Sequence, residues 1–227
     1  MTTLVSVTLI IISSGTFGPC LVAVVTDIIS PALKWQAGRT ASAIRTAASS
    51  SLWSATISAA SDVDKLQQIF NVVEQRILGL LSDDSDRTRM FTLRALAIIL
   101  TSNLDSLSVD FLVKAGKEIS DVLDDKNQEN REECIRCLGS YLHYTAAVIN
   151  KAEEIENDKL KRILSSVISK MTLHMDDDNE SFRDIILGCL ITLPLNLHDV
   201  LREQLEKSLK THQHKQHIET LLKTVKS

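Results

Sequence analysis

A chain of 227 residues that is 44% apolar and 24% charged can bury a sizeable core, which excludes wholesale disorder. A formal charge of −4 argues against the concentrated positive surface that a general nucleic-acid binder needs. Seven Gly and three Pro leave long stretches free of helix breakers, and Leu, Ile, Ala, Ser, Lys and Glu dominate, so an all-α fold is predicted.

In chain order, the first element is the compositional outlier. Residues 1–29, MTTLVSVTLIIISSGTFGPCLVAVVTDII, hold no basic residue, and the first charge is Asp27. A signal peptide normally carries a positive n-region. Gly15, Gly18 and Pro19 cut the apolar run into pieces of about a dozen residues, shorter than the ~20 of a spanning helix. We therefore read a buried helix whose partner precedes it in a longer parent chain, with 1–15 an atypical apolar segment and no membrane role. A membrane-tethered protein anchored by residues 1–29 is the competing reading.

Superposing Arg45, Arg89, Arg131 and Arg183 places a small residue six positions on (Ser51, Ala95, Cys137, Cys189) and Leu seven positions on (Leu52, Leu96, Leu138, Leu190). The arginines are 44, 42 and 52 residues apart, and a period of roughly 40 to 47 belongs to two-helix solenoid repeats. Units of about 16–60, 61–104, 105–150 and 151–195 follow, with C-terminal capping helices in 196–227. In the second unit Leu66, Ile69, Phe70, Val73, Ile77, Leu80 and Leu81 recur at three and four positions and end at Ser82, which predicts helix A. Met90, Leu93, Leu96, Ala97 and Leu100 predict helix B, stopped near residues 101–106. The third unit gives helices near 109–123 and 129–149. The fourth gives 153–175 and 179–193, ended by Pro194.

Between the paired helices lie three similar acidic turns, LSDDSDRTR (81–89), VLDDKNQENRE (122–132) and HMDDDNESFRD (174–184). Asp83, Asp125 and Asp177 each stand six residues before their Arg. The first unit diverges, with Arg39 in that place. A turn Asp can accept hydrogen bonds from the free amides that open helix B, so these are read as caps. The Arg, one and a half turns into helix B, can reach a carboxylate of its own turn or of the adjacent unit. Two amphipathic helices cannot hide their apolar faces alone, so the units are predicted to stack as an α-solenoid, antiparallel helix pairs forming a superhelix.

The turn Asp, the Arg six residues later and the apolar offsets resemble HEAT repeats. ISPALKWQAGRTASAIRTAASSSLW (29–53), together with the three acidic turns, is similar to the C-terminal region of the HEAT-repeat type of dynein axonemal assembly factor. That likeness extends from about residue 16 to the end. It implies a cytoplasmic, non-catalytic scaffold that helps preassemble axonemal dynein arms for motile cilia or flagella. It also implies protein partners: dynein heavy or intermediate chains, chaperones and other assembly factors. A generic HEAT adaptor, of the transport or phosphatase-scaffold type, is the alternative.

Sharper sites weigh less. DDDNE (176–180) lacks the alternating ligands, central Gly and distant Glu of a calcium loop. Cys134 and Cys137 form C-x-x-C near His143, yet they sit at helical i and i+3 with no second pair at finger spacing, and they read as buried small residues. With Cys20 and Cys189 they suggest a reducing compartment rather than a disulfide framework. His212, His214 and His217 read as a solvated, pH-sensitive surface. Trp35 and Trp53 flank QAGRTA. With Arg39 they form a candidate partner-binding patch, against the plainer reading of packing between helices A and B. No G-x-S-x-G, phosphate loop or H-E-x-x-H occurs, so neither an enzyme nor a cofactor is expected.

Overall fold

The computed structural model describes residues 20–102, 104, 107–149 and 154–225, all helix, turn or loop. Residues 1–15, read above as an atypical apolar segment, lie outside them. The chain divides into two compact units, Met1–Ser106 and Leu107–Ser227.

In the first unit, α1 spans Leu21–Ala32 and buries Leu21, Val25 and Ile29 at every fourth position. Its middle, Val25–Ile29, widens into a π turn just before Pro31. Pro31 has no N–H for the carbonyl four residues back, and its ring crowds that carbonyl, so the wider turn relieves both problems. Gly38 follows with φ of 103°, a conformation open to Gly, and starts α2, Arg39–Ala59. Helix α3, Val63–Ile77, is capped by Asp62, which accepts from Lys65 N at 3.0 Å. It tightens into a 3₁₀ turn over Leu78–Ser82, and α4 runs Asp86–Thr101. Helix α2 packs on α4, and α1 on α3.

The second unit holds three helix pairs: α5 (Val109–Asp121) with α6 (Gln128–Ile149), α7 (Glu154–Leu173) with α8 (Glu180–Ile191), and α9 (His198–Ser208) with α10 (Lys215–Val225). The A helices form one layer, α5 on α7 on α9, and α8 packs between α6 and α10 in the other. Helix α5 starts at Ser108, whose hydroxyl accepts from Phe111 N at 3.1 Å. Both α5 and α7 end, like α3, in a 3₁₀ turn, over Val122–Asp124 and His174–Asp176.

The expected A stripe of the second repeat, Leu66 to Leu81, is buried throughout. In its B helix Ile99 is buried and Ala97 only half so, a shift of the stripe around α4. Leu52, Leu96, Leu138 and Leu190 are each 0% exposed, so the superposition on Arg marks one structural position in four helices. Each such burial contributes roughly 1.5–3 kcal/mol. Predicted and observed helix ends differ by one or two residues, chiefly where the 3₁₀ turns extend the A helices.

Candidate functional site

The three acidic turns share one geometry. Asp83, Asp125 and Asp177 are extended, with φ/ψ of −65°/148°, −62°/143° and −64°/145°. Each Oδ1 accepts from the amide two residues on: Ser85 at 3.0 Å, Asn127 at 2.8 Å and Asn179 at 2.9 Å. Those next-but-one residues carry the capping oxygens. Ser85 Oγ accepts from Thr88 N at 3.3 Å, Asn127 Oδ1 from Glu129 N at 2.9 Å, and Asn179 Oδ1 from Phe182 N at 3.2 Å. The turn Asp thus folds the approach to the helix and leaves its cap to Ser or Asn. The sequence reading put the cap two residues early because an Asx turn and an N-cap use the same residue types.

Each ladder Arg ties back to its own turn through a carbonyl. Arg45 Nη1 donates to Gln36 O at 2.6 Å, Arg89 Nη1 to Asp83 O at 2.6 Å, Arg131 Nε to Leu123 O at 3.1 Å and Arg183 Nη1 to Asp177 O at 2.5 Å. Arg45 and Arg131 also reach the following turn. Arg45 Nε donates to Asp83 Oδ2 at 2.5 Å with both side chains 2% exposed, and Arg131 Nη2 pairs with Asp177 Oδ2. Arg131 also lies over the Phe182 ring, 4.2 Å from its centroid. Burial pushes the Asp177 carboxyl up, but the Asn179 amide and the Arg131 guanidinium outweigh it and hold it below the usual carboxylate range. Arg183 is 8% exposed, its Nε has no protein partner among the described residues, and the next turn, residues 209–214, holds no acid.

Arg39 lies exposed in the first turn of α2, where a cation gains nothing from the helix dipole. Trp35 is 64% exposed and 6.0 Å from Arg45 Cζ. Trp53 is half-buried, stacked on Phe91 at 5.7 Å with Arg94 over its ring at 5.0 Å. Trp53 stands fourteen residues beyond Arg39 in α2, about 21 Å along the axis, so Arg39 and Trp53 do not form one patch. Trp53 is a packing residue, but between the successive B helices α2 and α4 rather than between helices A and B as expected.

The other candidates are absorbed by the fold. Asp176 Oδ1 accepts from Gln213 N at 2.8 Å and His214 N at 2.9 Å, supporting the start of α10. His212 is buried, not solvated, and its Nε2 donates to Thr172 O at 2.8 Å; His217 Nε2 meets Asp184 Oδ1 at 3.0 Å. Cys134 and Cys137 are buried and free, and burial raises both thiols. Burial pushes Cys189 up to about 12. Among the described residues no three His, Cys, Asp or Glu side chains gather as metal ligands, and no single helix is long and apolar enough to cross a membrane.

Sequence reasoning missed a groove between α7 and α9, about 740 Å³ in volume, flanked by Arg162, Lys170 and Lys207. The one signal it left is polar residues at three and four spacing, Arg162, Ser165, Ser166 and Ser169.

This repeating geometry can be set against known proteins. No family model matches the chain. Among curated proteins, Dynein axonemal assembly factor 5 of Mus musculus is 28% identical over 210 residues, covering 92% of this chain and 24% of the relative. The Homo sapiens protein is 27% identical over 215 residues, 95% of this chain and 24% of its own length. That of Xenopus laevis is 30% identical over 166 residues, 73% and 19%. The chain is similar to dynein axonemal assembly factor 5. It spans about a quarter of the length of the curated relatives first matched, as a likeness to one region of a longer protein requires. Among solved structures, an engineered protein aligns at a TM-score of 0.53 with 13% identity, over 94% of this chain and 92% of that one. A designed armadillo repeat protein in complex with the peptide (KR)4 aligns at 0.51 with 16% identity, over 95% and 82%. These likenesses, with the layered helix pairs of each unit, make the fold an all-α solenoid of the armadillo-like kind.

Proposed function

We propose that the chain is a non-catalytic HEAT-repeat scaffold for the cytoplasmic preassembly of axonemal dynein arms, needed by motile cilia or flagella. The observation that carries this reading is the similarity to proteins named for that assembly, over 92% and 95% of the chain. The fold supports it in kind, because stacked helix pairs offer extended surfaces to protein partners rather than an enclosed pocket. The acidic turns serve this role indirectly: they hold adjoining helix pairs in register and so shape whatever surface they present. Its partners are dynein heavy or intermediate chains, with chaperones or other assembly factors.

Affinity capture on the 227-residue chain from the cytosol of ciliating cells tests this. Recovery of dynein heavy or intermediate chains is expected. Recovery of nuclear-transport cargo or phosphatase subunits in their place would replace it with a generic HEAT adaptor.

A further inference from the structure

Helices α7 and α9 run side by side in the same direction and are joined at two levels. Gln204 Nε2 donates to Ser165 Oγ at 3.3 Å, and His212 Nε2 to Thr172 O at 2.8 Å. Along this contact the facing side chains are short and hydroxylated: Ser165, Ser166 and Ser169 on one side, Ser208 and Thr211 on the other. Such side chains cannot fill the space between helices packed roughly 8–10 Å apart, and the groove of about 740 Å³ is what remains.

Its charge runs against that of the chain. The chain carries −4, yet no carboxylate lines the groove, and Arg162, Lys170 and Lys207 do. Arg162 is exposed and has no carboxylate partner among the described residues. Lys207 is held by Glu203 at 2.6 Å in an exposed pair one helical turn apart, a weak contact that an incoming carboxylate can displace. Lys170 is committed to Asp121 and Asp124, at 2.9 and 3.0 Å. At the far end Leu173 is 63% exposed. The hydroxyls of Ser166 and Ser169 make no side-chain hydrogen bond among the described residues and stand between Arg162 and Leu173.

We propose that this groove docks an extended acidic segment of a protein partner, with a carboxylate on Arg162 and an apolar side chain on Leu173. Arg162 and Leu173 are eleven residues apart in α7, about 16 Å along the axis, which an extended strand covers in about five residues. The free hydroxyls face the backbone of such a segment, whose N–H and C=O groups need partners once water is displaced. Lys207, released from Glu203, meets a second carboxylate from the α9 side. The inference takes from the scaffold reading only that the chain binds protein.

The test is fluorescence anisotropy with the 227-residue chain and a labelled decapeptide carrying two adjacent glutamates and a leucine five residues after the first. Binding should weaken as sodium chloride rises and fall by roughly tenfold or more in the Arg162→Glu, Lys207→Glu double variant. Both positions are exposed, and an unchanged thermal melt verifies the variant's fold. Leu173→Ser should weaken binding separately, without changing its salt dependence. Equal affinity of wild type and double variant overturns the proposal, as does equal or tighter binding of the lysine-for-glutamate peptide or of a twelve-nucleotide single-stranded DNA. Such a failure removes the groove alone, since the role in dynein assembly is read separately by the capture experiment.

Discussion

Arg45 Nε donates to Asp83 Oδ2 at 2.5 Å, and the two side chains, 38 residues apart in sequence, are each 2% exposed. Asp83 spends its other oxygen on the Ser85 amide, and Arg45 its Nη1 on Gln36 O, so the pair joins two successive turns through groups that water cannot reach. Removing one partner leaves the other charge buried and uncompensated. We predict that Asp83→Ala or Arg45→Ala costs about 3–5 kcal/mol in urea unfolding. The double variant should cost clearly less than the two single losses added together. The Arg131–Asp177 pair is more exposed, at 18% and 19%, and Asp177→Ala should cost less than Asp83→Ala. A loss below about 1 kcal/mol for either first-unit variant would deny the pair its role.

The division of labour inside the turns makes a second prediction. Asn127→Ala should cost on the order of 1 kcal/mol by losing the cap on Glu129 N, whereas Asn127→Ser should be nearly neutral. Asp125→Ala removes acceptors from Asn127 N and Asn130 Nδ2 and should also cost on the order of 1 kcal/mol. Calorimetric melts of the three variants decide it. If Asn127→Ala melts with wild type while Asp125→Ala does not, the cap belongs to the aspartate.

Gly116 in α5 should resist replacement. Alanine is the better helix former by about 1 kcal/mol, yet a Cβ there would lie 2.7 Å from Ile163 Cγ1 and 2.7 Å from Tyr141 Cζ. Tyr141 cannot easily retreat, because its hydroxyl donates to Leu112 O at 3.0 Å. Gly116→Ala should therefore lower stability by roughly 1–3 kcal/mol. A raised urea midpoint would mean that α5, α6 and α7 are not packed as described.

Acid should weaken the second unit in two stages. Burial pulls the His174 pKa below its ordinary value, and the facing Asp124 carboxylate only partly restores it. The unfolded chain then takes up the proton first, so stability is lost as pH falls from about 6.5 toward the lower folded value. Asp124 and Asp177 have depressed pKa values, so their contribution persists above the unfolded carboxylate range and is lost as pH falls below about 4. His174→Gln should flatten the first stage and shrink the second without removing it, because Lys170 still holds Asp124 down and Asn179 and Arg131 still hold Asp177 down. If the variant's stability profile overlays wild type between about pH 5 and 6.5, His174 is not the group responsible.

The repeat was legible in the sequence where one structural position recurs with one residue type. Arg45, Arg89, Arg131 and Arg183 each hold a turn carbonyl, and the Leu seven residues on is each time fully buried. Features that depend on distant partners left no such trace. Asp176 supports the start of α10 from 37 residues away, and the buried His212 finds its partner in Thr172 O, 40 residues back. The α7–α9 groove exists because two stripes of short side chains happen to face each other, a fact of packing that neither stripe announces. Trp35 and Trp53 look paired in sequence, but the length of α2 separates them.

If the chain serves the assembly of axonemal dynein arms, as proposed, its loss should show in the axoneme. The most direct measurement is depletion of the protein in a motile-ciliated cell, with axonemal cross-sections scored by electron microscopy for inner and outer arms. Axonemes that form but lack dynein arms are expected, with arms restored by the wild-type protein. A full complement of arms after complete depletion would contradict that role.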